Sequence, residues 1–504
     1  MKKLLFAGLI ASALISAQAS ITLPRIFSNN MVMQAQEPAK IWGKAEANAA
    51  VEIKIDSQSF ATKANSDGTW SIVIAPQKAE QRPKEIRFFE NSKESKVLKN
   101  VLFGEVWISG GQSNMEFKLR DSIGGKEACH SGDFPNIRFF RQGSVPKSSV
   151  QSDSPSGAAW YVCNPKNSWA FSAVSFYFAR DLYENLNVPI GIVETAFSGS
   201  YMIAWLARQD LKGISAFEKP LEKFERDNAN YDYQKESQAY KEKLEIYKKA
   251  IEGLSKQEIK KVKKPSPPPI ALGTKTAALP GMFYNSKIAP IAGFGARGFI
   301  WYQGESDAIA NPEAFAEKFE RLINSWRKYW GKSDMPFYFV QLPSIDRKAW
   351  VDCREAQDKV SKKLKNVEMA VALDTGDIKD VHPKEKLSVG KRLARLALIN
   401  IYGRKNLANF PRLAGVRFNG DSAEISIECK NSKLKIREPL RGFEVLVGGT
   451  WIEPKAALSG EKINLKSEGE IESVRYIWKN WALPDVCIFN SEDMPLAPFL
   501  KNKN

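Results

Sequence analysis

The stretch VLFGEVWISGGQSNMEF, residues 101–117, decides which fold the chain is expected to adopt. Its first part is an apolar run typical of a buried strand, and Gly110 and Gly111 then permit a tight turn. Ser113 follows at the start of a predicted helix, where exposed backbone N–H groups can stabilise a developing oxyanion. A serine after two glycines is more often an ordinary turn or capping residue, so this motif alone leaves its role open.

On the C-terminal side of this stretch, apolar strand-like runs alternate with helical patterns as far as about residue 403. Further strand-like runs are VPIGIVET, ARGFIWYQG, MPFYFVQLP and VEMAVALD, and helical patterns such as AVSFYFARDLYENLN and AFAEKFERLINSWRKYW alternate with them. Strand–helix alternation predicts an α/β domain whose parallel sheet is covered by helices on both faces. Ligands bind such sheets at the carboxyl ends of the strands, so the turns after these strands are candidate sites.

The two flanks of this α/β region have β texture instead. Residues 20–100 contain the runs AVEIKI and TWSIVI and predict an N-terminal β-sandwich domain, and residues 404–504 predict a C-terminal β domain through SAEISIE, GFEVLVGG, KINLK and SVRYIWKNW. Within the predicted 101–403 domain, residues 206–279 are rich in Lys and Glu and end in a proline-rich connector. We interpret them as a charged, helical insertion, for which a role as a lid is open.

The N-terminus predicts export. Two lysines, a short apolar run and the small-residue signal Ala17-Gln18-Ala19 are typical of a signal peptide over residues 1–19. The apolar run is shorter than the ~20 residues that a spanning helix needs. We therefore expect a periplasmic or extracellular protein, without a membrane span.

Composition excludes some partners and cofactors. The formal charge is +17, which can indicate nucleic-acid binding, but the lysines are dispersed and interleaved with glutamates, as on a solvated surface. No nucleic-acid partner is expected. The five cysteines are scattered, so any disulfide pairing stays open, and the two histidines lack the spacing of metal ligands. Neither a metal nor another cofactor is expected.

A serine nucleophile needs a base, and the chain offers only two histidines. His382, in DTGDIKDVHPKEK, follows a predicted strand and has carboxylates nearby, whereas His130 lies in a loop without a recognisable constellation. Gln303 and Glu305, in WYQGESD, again follow a strand, and so does TAFSGSYMIAW, in which Gly199 can present an unhindered backbone N–H. Each turn alone is weak, but several polar turns at strand ends together favour a catalytic site.

The blocks GGQSNME, SGSYMIAW, WYQGESD and DVHP together resemble the sialate O-acetylesterase family, a branch of the SGNH hydrolases. Weaker similarity, as in LPGMFYNSKIAPI, extends over most of the chain outside the insertion. The resemblance implies a three-layer α/β/α hydrolase domain between β-sandwich elements. It also implies that Ser113 is the nucleophile and His382 the base. The backbone N–H groups of Ser113 and Gly199 and the side chain of Gln303 would form the oxyanion hole.

The resemblance leaves the acid and the substrate open. Asp380 matches a D-x-H-P pattern, while Glu305 serves as the acid in related carbohydrate acetylesterases; Glu305 is slightly preferred. The implied function is an exported serine esterase that removes O-acetyl groups from sugars, with sialic acids as the first candidate. Acetylxylan or another acetylated glycan is the alternative, and a non-catalytic carbohydrate-binding protein is less well supported. Positional preference and oligomeric state stay open.

Overall fold

The computed structural model describes residues 21–143, 146–266, 268, 279–310 and 312–503. The predicted signal peptide at 1–19 and part of the proline-rich connector lie outside these residues. Within the described ranges, no helix combines the length and the apolar character that crossing a bilayer requires.

The N-terminal region is built from β-strands, as its alternating pattern predicts. Its strands are β1 Val32–Gln34, β2 Ala39–Lys44, β3 Ala50–Ile55, β4 Gln58–Lys63, β5 Thr69–Ile74, β6 Glu80–Glu90 and β7 Lys93–Gly111. The runs AVEIKI and TWSIVI coincide with β3 and β5. In β3 the side chains of Val51, Ile53 and Ile55 are buried, which is the period-2 burial that the sequence predicts.

Strand β7 crosses the boundary that the sequence predicts at residue 100. Its N-terminal part pairs antiparallel with β6, and its C-terminal part pairs in parallel with neighbours on both sides. Every residue from Val101 to Gly111 is buried, so the strand lies inside the protein along that length. One continuous strand therefore carries the N-terminal β region directly into the sheet that ends at Ser113.

The central sheet contains the strands of the α/β region. They are β8 Phe134–Arg141, β9 Ala159–Cys163, β10 Ile190–Glu194, β11 Gly298–Tyr302, β12 Phe337–Val340 and β13 Val367–Ala370. The order is β13-β12-β11-β7-β10-β8-β9, and all of these pairs are parallel except β8 with β9. The prediction of a mixed α/β fold with a parallel sheet is confirmed. Strands β8 and β9 were not foreseen.

The helices are α1 Ser113–Glu116, α2 Gly125–Ser131, α3 Ala173–Leu186, α4 Arg208–Leu211, α5 Ser215–Ala229, α6 Tyr233–Ala250, α7 Lys256–Ile259, α8 Glu305–Ala310, α9 Phe315–Trp330, α10 Trp350–Lys363 and α11 Leu387–Asn400. The lysine-rich stretch forms α5 and α6. Helix α5 buries Phe217, Leu221 and Phe224, whereas α6 buries none of its side chains. The two long helices of this stretch are thus attached to the protein in different ways.

The C-terminal region returns to β structure. Its strands are β14 Arg412–Asn419, β15 Ser422–Glu428, β16 Leu434–Ile436, β17 Phe443–Val447, β18 Thr450–Ile452, β19 Lys455–Ser459, β20 Lys462–Lys466, β21 Ser473–Tyr476, β22 Ile488–Asn490 and β23 Phe499–Asn502. The run SAEISIE coincides with β15. Buried Arg354 of α10 donates to the carbonyls of Lys479 and Asn480, which ties this region to the central one. The domain boundaries, the three-layer arrangement and the β-sandwiches stay predictions.

Candidate active site

The turn after β7 places Ser113 at the carboxyl edge of the sheet, between β10 and β11. Gly111 has φ +135°, and a Cβ there would lie 2.2 Å from the carbonyl oxygen of Tyr302. A side chain at Gly111 would therefore prevent β11 from approaching this turn. Ser113 is half-buried, and within the described ranges its hydroxyl makes no hydrogen bond. A hydroxyl left without an internal partner at this edge can react with a substrate.

The glycine block after β10 is held against the nucleophile turn. The N–H of Phe197 donates to the carbonyl of Gly111 at 3.0 Å. The backbone N–H and the hydroxyl of Ser198 both donate to Glu116 Oε2, at 2.8 and 2.7 Å. Gly199 is exposed, has φ +70°, and its N–H has no acceptor among the described residues. The structure thus leaves one unused backbone donor next to helix α1.

Gln303, the expected side-chain donor to the oxyanion, already donates to two protein acceptors. It is fully buried, and its Nε2 donates to Asp307 Oδ2 at 2.6 Å and to the carbonyl of Ser200 at 3.3 Å. Asp307 Oδ2 also accepts from the N–H of Met202, at 2.9 Å. The amide therefore connects the Gln-Gly-Glu turn to the glycine block. To reach an oxyanion, Gln303 would have to give up the long bond to Ser200, so its predicted role stays a prediction.

His382 lies in the loop after β13, with Asp380 beside it. Asp380 Oδ1 accepts from the backbone N–H of His382 at 2.8 Å and lies 3.5 Å from His382 Nδ1. Asp377 Oδ1 in turn accepts from the N–H groups of Lys379 and Asp380, which fixes the turn. These two bonds lower the pKa of Asp377. Within the described ranges, Asp380 is the carboxylate that forms an ion-pair contact with the imidazole.

Glu305 is buried and bonded to a residue that the sequence did not single out. Its Oε1 accepts from Asn114 Nδ2 at 2.5 Å, and its Oε2 has no hydrogen-bond partner in the described part of the chain. The same Asn114 nitrogen donates to the carbonyl of Val381 at 2.8 Å. Burial raises the pKa of Glu305, against the opposing effect of the Asn114 bond. Within the described ranges, hydrogen bonds connect Glu305 to the histidine loop through Asn114.

Lys386 completes this buried cluster. It is inaccessible to solvent, its Nζ donates to Asn114 Oδ1 at 2.6 Å, and it lies over the rings of Phe117 and Tyr302. Burial lowers the pKa of Lys386 to about 7, although the Glu305 carboxylate nearby favours the charged form. Asn114 thus contacts Glu305, the histidine loop and Lys386 through one amide. Asn114 stands inside the quoted GGQSNME block, but only the fold shows which groups it joins.

The second histidine and the five cysteines form no part of this cluster. His130 is in α2, where its Nδ1 contacts the carbonyl of Lys126 at 2.7 Å and its ring meets Trp169 edge-on. The cysteines are all unbridged; they are Cys129, Cys163, Cys353, Cys429 and Cys487. Among the described residues, no group of three or more His, Cys, Asp or Glu side chains could hold a metal ion.

The chain is similar to known carbohydrate esterases. Residues 274–399 match the family model described as carbohydrate esterase, sialic acid-specific acetylesterase. The sialate O-acetylesterase of Mus musculus is 25% identical, in an alignment that covers 98% of this chain and 96% of that protein. The human sialate O-acetylesterase is also 25% identical, over 78% of this chain and 73% of that protein.

A solved structure is similar along the whole chain. The crystal structure of a carbohydrate acetylesterase from Xanthomonas citri superposes with a TM-score of 0.78 at 26% identity, and covers 96% of this chain and 100% of that one. The resemblance that the sequence blocks indicate is therefore confirmed. The chain is a carboxylic ester hydrolase related to the sialate O-acetylesterases.

Proposed function

We propose that the chain is a serine esterase that removes O-acetyl groups from sugars, with sialic acids as the substrates. The observation that carries the proposal is the meeting of three features at one sheet edge. They are the unbonded hydroxyl of Ser113, the unused N–H of Gly199, and the His382 loop, joined to the residue after Ser113 by the Asn114–Val381 hydrogen bond. The sialate O-acetylesterase of Mus musculus is similar over nearly the whole chain, which favours this substrate class.

The mechanism is acyl transfer through an acetyl-enzyme. His382 accepts the proton of Ser113 as the serine oxygen attacks the acetyl carbonyl, and the tetrahedral oxyanion forms. The N–H of Ser113, the N–H of Gly199 and an N–H of Gln303 are its proposed donors. Collapse of the intermediate expels the sugar hydroxyl, which takes the proton from His382. Water, activated by the same imidazole, then releases acetate and restores the serine.

The acid of the triad is proposed to be Asp380. Its Oδ1 lies 3.5 Å from His382 Nδ1, so a small rotation of either side chain forms the orienting bond. Glu305 is the alternative, and its path to His382 runs through Asn114. This preference reverses the slight preference for Glu305 that the sequence motif favours.

Export and the finer fold belong to the same proposal. A signal peptide over residues 1–19 would carry the enzyme to the periplasm or the cell exterior. Helix α3 packs on α11, and α9 packs on α10, which supports helices covering the central sheet in an SGNH-like, three-layer arrangement. The strand regions before and after it would be the β-sandwich elements.

A second candidate substrate class is an acetylated neutral glycan such as acetylxylan. The Xanthomonas citri relative is described as a carbohydrate acetylesterase, a wording that does not name a sugar. Acetate release should be measured on O-acetylated sialic acid, acetylated xylan and a small aryl acetate. Cleavage of the sialate with the highest kcat/KM supports the proposal, and cleavage of the aryl acetate and xylan alone contradicts the sialate assignment.

A further inference from the structure

A polar cavity of about 230 Å³ lies beside helix α1, at the carboxyl edge of the central sheet. Residues at or near the carboxyl ends of three adjacent strands line it: Ser109 of β7, Arg141 of β8 and Glu194 of β10. Glu194 is in register with both of the others, so the three lie side by side. Ligands of parallel sheets bind at this edge. The cavity is therefore placed where a part of the substrate can lie.

Lys287 lies on the inner wall of this cavity with its ammonium group almost unsatisfied. The residue is 1% exposed, and the only hydrogen bond of its Nζ in the described part of the chain goes to the carbonyl of Ala196 at 3.4 Å. Burial lowers the pKa of Lys287 to about 8. A buried cation without a close partner is costly, and a bound anion would remove that cost.

Gln142 supplies a complementary group on the same wall. Its Nε2 donates to the carbonyl of Lys287 at 3.1 Å, while its Oε1 is buried and has no hydrogen-bond partner among the described residues. Among the described residues, the cavity lining thus includes a cation with a single long hydrogen bond and a neutral acceptor with none. A ligand with a carboxylate and a nearby hydroxyl would satisfy both.

The carboxylates that line the cavity are already engaged by protein groups. Glu194 accepts from Arg141 Nε at 3.2 Å, and Glu116 accepts from the backbone N–H and hydroxyl of Ser198. Lys118 lies 3.9 Å from Glu116 near the partly exposed side. Three cationic side chains therefore face two carboxylates, each of which already accepts hydrogen bonds from protein groups, so the cavity favours an anion over a cation.

We propose that this cavity is the subsite for the carboxylate of an acidic O-acetylated sugar, with Lys287 binding the carboxylate and Gln142 Oε1 accepting from a hydroxyl of the same sugar. The inference rests on the proposed function and adds the residues that select an acidic sugar. Its geometry links it to the reaction, because Glu116 shares helix α1 with Ser113 and Ala196 precedes Gly199 in the same loop. A sugar anchored here lies beside the nucleophile.

The test compares two forms of one substrate. Acetate release is measured on an O-acetylated sialic acid and on its methyl ester, whose carboxylate charge is masked, with the wild-type enzyme and the Lys287→Met variant. A hydrogen bond to a charged group is worth a factor of about 10 to 100, so wild type should prefer the free acid by that factor in kcat/KM. Lys287→Met should lose the preference. The exposed Lys241→Met in α6 is the matched control and should retain it.

A stability measurement separates binding from a structural role. Methionine removes an uncompensated buried cation, so Lys287→Met should unfold at the same denaturant concentration as wild type or a higher one. Marked destabilisation would identify Lys287 as a structural residue and overturn the inference. The wild-type comparison of acid and ester stands independently of whether any variant folds.

The outcomes distinguish the two proposals. Equal kcat/KM of wild type for the acid and the ester, or a preference that survives in Lys287→Met, overturns the subsite while leaving the esterase assignment intact. Acetate release from acetylated xylan but from neither sialate form overturns the sialate assignment and the subsite with it. If wild type and Lys241→Met have a higher kcat/KM for the free acid than for the ester, and Lys287→Met does not, both the sialate assignment and the subsite are supported.

Discussion

Asn114 Nδ2 lies 2.5 Å from Glu305 Oε1, so the residue after the proposed nucleophile is bonded to the carboxylate that the sequence motif favours as the acid. The same nitrogen donates to the carbonyl of Val381, next to His382. Asn114 therefore fixes the distance between the serine turn and the histidine loop. Glu305 accepts a hydrogen bond from Asn114, so we propose that it positions this side chain, with Asp380 as the carboxylate beside the imidazole.

Ser113→Ala should leave a folded protein without useful activity. The Ser113 hydroxyl makes no hydrogen bond within the described ranges, so its loss removes little stability. As the proposed nucleophile, it should carry a factor of about 10⁴ or more in kcat. The measurement is aryl acetate hydrolysis alongside a denaturation curve, with exposed Ser131→Ala as control. Retained hydrolysis by a folded Ser113→Ala protein would rule out this serine.

The two histidines should differ sharply. His382 is the proposed base, and the imidazole of His130 instead contacts the carbonyl of Lys126 and the ring of Trp169 within its own part of the fold. His382→Ala should lower kcat on an aryl acetate about as strongly as loss of the nucleophile, because the two act as a unit. His130→Ala should leave kcat close to that of wild type. The reverse ranking would show that the DVHP block is not the base.

Amide replacements should identify the acid. Asp380→Asn keeps an oxygen that can accept from the N–H of His382 but loses the charge 3.5 Å from Nδ1. We expect kcat on an aryl acetate to fall by at least about tenfold, with about 10⁴ as the upper bound for a triad acid. Glu305→Gln should reduce kcat less, and its measurement beside Asp380→Asn is the check. A larger loss from Glu305→Gln would return the acid to the Gln-Gly-Glu block.

The sequence allowed the fold class and the strand ends that carry the candidate site to be predicted, because both follow from local patterns. Alternation of apolar residues places β3, β5 and β15, and the apolar runs before the polar turns place β7, β10 and β11. What each polar side chain contacts could not be predicted in the same way. Asn114 meets Lys386, 272 positions away, only because β7 and the loop after β13 end at the same edge.

The contacts of Glu305 could not be predicted from the sequence for the same reason. A carboxylate at a strand end can face the solvent-filled cleft or the interior, and the motif is identical in both cases. Here Glu305 opens helix α8 and is 3% exposed, so it points into the protein toward Asn114. The burial of Lys386 near Glu305 could not be predicted either, since lysine is mostly exposed in proteins.

Lys386 predicts a pH dependence of stability. Its pKa is lowered by burial to about 7 in the folded protein, from an ordinary value of 10.5. Between these values the unfolded chain binds more protons at this site than the folded one does, so the free energy of unfolding should rise with pH. In denaturant titrations, the free energy of unfolding of Lys386→Met should rise less between pH 7 and pH 10 than that of the wild-type protein. The control is Lys241→Met, at an exposed position. If the free energy of unfolding of Lys386→Met depends on pH as steeply as that of wild type, the lowered pKa of Lys386 is contradicted.

We expect the protein to tolerate removal of helix α6 from the insertion, but not removal of α5 together with α6. Helix α6 buries none of its side chains, whereas α5 buries Phe217, Leu221 and Phe224, and Phe224 lies against the Arg208 guanidinium at 4.4 Å. Replacing residues 233–264 by a flexible Gly-Ser bridge should therefore leave the denaturation midpoint and aryl acetate kcat close to wild type, because a surface loop of changed length costs little entropy.

A deletion that begins at residue 211 also exposes the apolar surface under α5. It should lower the free energy of unfolding by several kcal/mol, since burying each large apolar side chain contributes about 1.5–3 kcal/mol. Equal stability of the two deletions would show that α5 contributes no core contacts, and collapse of the shorter deletion would show that α6 does.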